Sequence, residues 1–186
     1  MNQINDILKD SVPLTNRTII AEVLDRLDIG WDDPIFPDAL SYKMISGEHC
    51  LLAKMTAANG ELTGLYITSY NDTGVVLWAT YVGEVNSIRF GHAPLGVVIG
   101  SGIRNTMASM KSLEMFGIAM PEGELEKATL HENTKTAIIS IGRDEFYEEA
   151  KEAYALANKL SKQGKDVEVI VSNWATPWED YHLTLK

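Results

Sequence analysis

The sequence predicts an α/β protein: a parallel sheet with flanking helices, preceded by a smaller lobe of one helix and an antiparallel β-meander. Three observations carry this. Short, wholly apolar runs ending in glycine alternate with amphipathic stretches after about residue 94, as strands buried on both faces alternate with crossover helices. Before about residue 93, apolar runs are instead separated by turn residues such as Asn59-Gly60 and Asn71-Asp72-Thr73-Gly74, the pattern of consecutive hairpins. The change between the two patterns divides the chain into 1–93 and 94–186.

In the first region, residues 15–29 read as a helix. Thr15 or Asn16 can cap it, and Ile19, Ile20, Val23, Leu24 and Leu27 recur at helical spacing. Residues 28–37 hold Gly30, Pro34 and Pro37 and are expected to be irregular. Strands are expected at 49–55 and 62–70 around a turn at Asn59-Gly60, then at 75–82 and 87–90.

In the second region Leu95–Gly100 is the first buried strand. A helix with Ile103, Met107, Met110 and Leu113 on one side follows it. Residues 136–141 form the next strand, ended by Gly142. The next helix buries a stripe of Phe146, Ala150, Ala153, Tyr154, Ala157 and Leu160 and stops at Gly164; residues 167–171 are the third strand.

The chain has 186 residues, 45% of them hydrophobic, 23% charged, and a net charge of −10. That length buries enough surface to need no staples, and the lone Cys50 excludes an internal disulfide and any cysteine zinc cluster. Cys50 reads as a small buried hydrophobe, which suits a reducing cytoplasm. Residues 1–10 lack the basic and apolar segments of a signal peptide, and no run reaches membrane-spanning length, so neither membrane nor export is expected. Both regions are acidic, which argues against nucleic acid held by charge alone.

In open parallel sheets function collects at the carboxyl ends of strands. Three such places matter: Gly100-Ser101-Gly102-Ile103-Arg104-Asn105-Thr106, Ile141-Gly142-Arg143-Asp144-Glu145, and Pro177-Trp178-Glu179-Asp180-Tyr181. Here the chain resembles the Toprim domains of phage and plasmid primases. That branch carries Glu-Gly-Ile-Glu-Thr-Ala after its first strand, Asp-Asn-Asp after a later one, and a Trp-Asn-Asp-like tail. The corresponding stretches are Ser101-Gly102-Ile103-Arg104-Asn105-Thr106, Gly142-Arg143-Asp144 and Trp178-Glu179-Asp180. The likeness runs upstream through Val12-Pro13-Leu14, Ala39-Leu40-Ser41-Tyr42, Leu51-Leu52-Ala53, Gly64 to Tyr70 and Ile88-Arg89-Phe90-Gly91, and so covers nearly everything after residue 11.

The resemblance implies a magnesium site built on carboxylates, with acid–base work at the first glutamate. This sequence departs from it: the glutamate position is Ser101 and the leading aspartate position is Gly142. Asp144 remains, with Asp180 as a further candidate. Arg104 and Arg143 add fixed cations at the same strand ends, and no neighbouring position promises a replacement anion. The expectation is therefore a catalytically inactive Toprim-like protein of phage or mobile-element origin, without cofactor, in the bacterial host cytoplasm. It would act by binding a protein partner, for example as an anti-CRISPR-like inhibitor of a host nucleic-acid-handling or defence complex. Arg104, Arg143, Trp174 and Trp178 are candidate interaction residues; direct nucleic-acid binding stays open, and so does self-association. The alternative expectation is a magnesium-dependent primase- or nuclease-related enzyme that uses Asp144 and Asp180, with Glu145 or Glu179 recruited, and holds magnesium weakly.

Other patterns carry less. His49, His92, His131 and His182 lack ligand spacing. Gly96, Gly100 and Gly102 do not complete a dinucleotide loop because Asn105 takes the last glycine position. Ser101 lacks the flanking spacing of a nucleophile elbow. Trp174 and Trp178 suit an exposed anchor and core packing equally.

Overall fold

The structure is a computed structural model that describes residues 2–14, 39–71, 75–91, 95–143 and 147–172. The helix expected over 15–29, and Asp144, Phe146, Trp174, Trp178 and Asp180, lie outside the described residues. The chain divides into two compact units, Met1–Gly91 and His92–Lys186.

The first unit contains α1 (Asn2–Leu8), β1 (Val12–Pro13), β2 (Leu40–Ile45), β3 (Glu48–Thr56), β4 (Leu62–Tyr70), β5 (Val76–Gly83) and β6 (Ser87–Phe90). β1 to β5 pair antiparallel in sequence order. The β3–β4 turn is the expected one. Gly60 takes φ +86°, the Ala57 carbonyl accepts from its amide, and Asn59 Oδ1 accepts from the Glu61 amide. β2 pairs with β3 only as far as Ala53, and β6 takes the remaining edge at Met55 and Thr56. The unit is therefore more than a simple meander. One sheet face buries Cys50, Leu52, Leu65 and Ile67 against Ile4, with Ile7 and Leu8 of α1 packed beside them. Lys43 Nζ donates to the carbonyls of Ile7 at 3.1 Å and Lys9 at 2.8 Å, satisfying groups that a helix end leaves unpaired.

The second unit contains β7 (Gly96–Ser101), α2 (Ile103–Leu113), β8 (Gly117–Met120), a 3-10 turn (Leu125–Lys127), β9 (Thr136–Ile141), α3 (Glu148–Lys162) and β10 (Asp166–Val171). All four strands run parallel in the order β8-β7-β9-β10, with Ile99 beside both Ile118 and Ile139. The fold is thus mixed α/β, a parallel sheet with flanking helices. Successive strand residues face opposite ways. Gly100 and Ser140 meet α2, through Thr106 and Ser109. Ile99, Ile139 and Ile141 pack with Ala153, Leu156 and Leu160 of α3.

Two expectations need correction. Tyr154 is not in the buried stripe of α3: it is 60% exposed, while Leu156 is fully buried. At 3.6 residues per turn Tyr154 sits about 100° round from Ala153, on the flank of a face centred on Ala153, Leu156 and Leu160. α1 was not expected as a helix, nor β1, β2 and β8 as strands. β8 is only four residues long, GIAM, and nothing in so short a run marks a period.

Candidate functional site

The carboxyl ends of β7, β8 and β9 lie side by side. Gly100 pairs with Ser140, and Ser101 pairs with Met120. The loop leaving β7 stays tied to β8, because the Gly102 amide donates to the Met120 carbonyl at 2.7 Å. Gly102 has φ +73° and ψ 156°, a region essentially closed to residues with a β-carbon. That conformation turns the chain from strand into helix within one residue. Gly102 provides no side chain to cap α2. Thr106 Oγ1 donates back to the Gly102 carbonyl at 2.8 Å, and Ser109 Oγ donates to the Asn105 carbonyl. A 2.8 Å hydrogen bond joins Ser109 Oγ and Ser140 Oγ, fixing α2 to β9.

Ser101 is buried, at 7% exposure, and strand alternation turns it to the α3 face with Ile99. Gly142 is buried at the end of β9. Arg104, in the first turn of α2, and Arg143, directly after β9, are both exposed. Of the candidate residues, Ser101, Gly102, Arg104, Gly142 and Arg143 therefore gather at one edge of the sheet.

Two carboxylates arrive there that sequence reasoning missed. Glu122, just past β8, places Oε1 3.9 Å from where a β-carbon on Gly102 would stand. Glu149, in the first turn of α3, accepts the Gly142 amide on Oε2 at 3.1 Å. The pairing of β8 with β7 brings Glu122 there, and the turn from β9 into α3 brings Glu149. Glu152 on the same helix accepts the Leu125 amide at 3.0 Å, so α3 pins the loop after β8 as well. Lys159 completes that clamp by donating to the carbonyls of Glu126 and Ala128.

Magnesium takes hard oxygen donors in near-octahedral array. At the positions the resemblance assigns to carboxylates, this edge offers the Ser101 hydroxyl and a glycine, and Glu149 is already engaged by an amide. Among the described residues no three His, Cys, Asp or Glu side chains gather in a way that would hold a metal ion; Asp144 lies outside them. No helix among them is long and apolar enough to cross a membrane.

No protein-family model matches the chain, and no curated protein matches its sequence significantly. Among solved structures it is similar to the primase fragment of the bacteriophage T7 primase-helicase protein. That match has 14% identity, covers 95% of this chain and 72% of that one, and has a TM-score of 0.55. It is also similar to T7 primase domains in a structure with the phage lagging-strand DNA polymerase, an RNA/DNA hybrid and dTTP. There the identity is 14%, the coverage 94% of this chain and 85% of that one, and the TM-score 0.48. A DNA primase domain from Pseudomonas aeruginosa matches at 10% identity over 97% of this chain and 64% of that one, with a TM-score of 0.46. At such identities the likeness speaks for the fold alone, and that fold is of the primase type.

Proposed function

We propose that this chain is a primase-fold protein that does without the metal chemistry of the fold and acts by binding another macromolecule. The observation that carries this is the state of the β9 end. A glycine stands where the resemblance places an aspartate, and its amide is closed off by Glu149. With Ser101 buried beside it, neither position that the resemblance assigns to a carboxylate carries one, and Glu149 is taken up by the Gly142 amide. The partner class that suits the chain is a protein with a cationic groove, since a net charge of −10 complements such a surface and steers encounter with it. Inhibition of a host nucleic-acid-handling or defence complex is the most specific form of this reading. Magnesium and manganese titration calorimetry tests it: no micromolar binding is expected. Micromolar binding that disappears in Asp144→Ala would overturn it.

A second reading has one observation in its favour. Glu122 brings a carboxylate alongside Gly102, so a magnesium-dependent primase- or nuclease-related enzyme using Asp144 and Asp180 would find a third acid in Glu122. That reading expects metal affinity to fall in Glu122→Gln as well as in Asp144→Ala.

A further inference from the structure

Among the described residues β5 pairs with β4 and with no other strand, so one edge carries unpaired backbone N–H and C=O groups. Natural sheets shield such an edge with charge, proline, bulges or a covering element. From Val75 to Gly83 there is no charged residue and no proline. A register shift opposite Ser69 and Tyr70 leaves Leu77 outside the ladder, after which Trp78 to Val82 pair without interruption. From Val76 to Tyr81 the strand is also exposed on both faces, and Val82 is half-buried against the core beneath α1. Val75, Val76, Leu77 and Tyr81 are each about half exposed or more, at 58%, 52%, 49% and 50%. Trp78 is held in place: its Nε1 donates to Glu48 Oε2 at 2.6 Å, and Ser69 Oγ donates to the same oxygen at 2.6 Å. Fixing this side chain in advance lowers the ordering cost of any contact it makes.

We propose that the free edge of β5 is where two copies of this chain pair, antiparallel about a two-fold axis at Thr80. Two arguments select a second copy over an unrelated partner. The first is charge: copies of a chain with a net charge of −10 repel one another, so a self-contact is least opposed where the strand itself carries no charged side chain, and here the neighbouring carboxylate, Glu48, is held by Trp78 and Ser69. The second is self-complementarity, which a two-fold interface demands. About Thr80, Trp78 faces Val82 of the second copy, Ala79 faces Tyr81, and Thr80 faces Thr80. The first is aromatic with β-branched and the last hydroxyl with hydroxyl, both favourable cross-strand pairs, and between them a small residue leaves room for a large one. The five-residue ladder spans only about 17 Å, less than a standard interface occupies, so the dimer dissociates on dilution.

Sedimentation equilibrium across about a thousandfold concentration range reads the mass directly. A monomer–dimer equilibrium is expected, with Thr80→Lys monomeric throughout and its circular dichroism and melting unchanged, since position 80 is exposed. Independently, Thr80→Cys should form a covalent dimer under mild oxidation at least about tenfold faster than Glu61→Cys, an exposed control on the β3–β4 turn. Wild type, whose only thiol is buried, serves as the blank. A monomer at every concentration, a dimer that survives Thr80→Lys, or equal cross-linking at positions 80 and 61 would each overturn the proposal.

Discussion

Gly100 and Gly102 stand two residues apart and resist substitution for different reasons. A β-carbon on Gly100 would meet Thr106 Oγ1 at 2.6 Å and Thr106 Cα at 3.1 Å. Gly100→Ala is therefore expected to cost about 1–3 kcal/mol by overpacking. Thr106→Ala should return only part of that, because the Cα stays; a double-mutant cycle in denaturant measures the share. Gly102 has space around it but a backbone angle that L-residues avoid, so Gly102→Ala should cost about 1–3 kcal/mol whatever residue stands at 106. Cys50 gives a prediction in pH. Burial raises its thiol above the ordinary 9.0, outweighing hydrogen bonds with Ser69 and Ile45 that act the other way, and the charge of Glu48 adds a smaller push upward. A folded-state pKa above the unfolded one contributes stability that is whole below pH 9.0 and is lost as pH climbs toward the folded value. Burial raises Tyr42, on the neighbouring strand, in the same sense from 10.0. The melting temperature should thus fall above pH 9, and Cys50→Ala should flatten the first part of that fall. A pH profile of thermal melts that is unchanged in Cys50→Ala would refute the assignment.

The element that organises the candidate edge is α3, which follows β9 and acts through two carboxylates. Glu149→Ala removes the acceptor from a buried amide, so a loss of about 1–3 kcal/mol is expected. Glu149→Gln, which keeps a carbonyl oxygen able to accept, should lose much less. Hydrogen exchange at the Gly142 amide separates the two, being faster in the alanine variant alone. This clamp also marks the limit of what the sequence could disclose. β7 and β9 were legible because strands with most of their residues buried leave apolar runs bounded by glycine. β10 was expected as a third buried strand, but DVEVIV alternates exposed and half-buried residues, and only its position after Gly164 and its valines marked it. The β3–β4 hairpin was legible because Asn59-Gly60 has few other uses. Ser101 and Gly142 could be placed at strand ends for the same reason. Glu122 and Glu149 could not: their relevance depends on β8 pairing beside β7 and on the first turn of α3 folding back onto the end of β9, and neither adjacency has a local signal. Tyr154 was misjudged because an amphipathic ring fits a stripe as well as its flank. β2 was overlooked because its residues, LSYKMI, mix polar and apolar types on a face that receives α1 through Lys43.

For the molecule as a whole, charge decides which partners are admissible. Association with DNA or RNA draws most of its strength from counterions released as phosphates meet Lys and Arg. With a net charge of −10, the chain approaches a polyanion against its own field unless a local cationic surface compensates. Arg104 and Arg143 are the exposed cations at the candidate edge, and Glu122 and Glu149 lie at that same edge. Labelled single-stranded DNA or RNA should therefore show no mobility shift even at about 50 mM salt, where such binding is strongest. A shift whose affinity falls steeply with salt and weakens in Arg104→Ala would replace the protein-partner reading with nucleic-acid binding. The same field gives the protein-partner reading its own signature. A complex held by opposite charge forms more slowly as ionic strength rises, while its dissociation rate changes little. Added heparin should displace the chain from a cationic groove by occupying it, and a complex indifferent to both salt and heparin would mean that its partner is recognised through apolar surface.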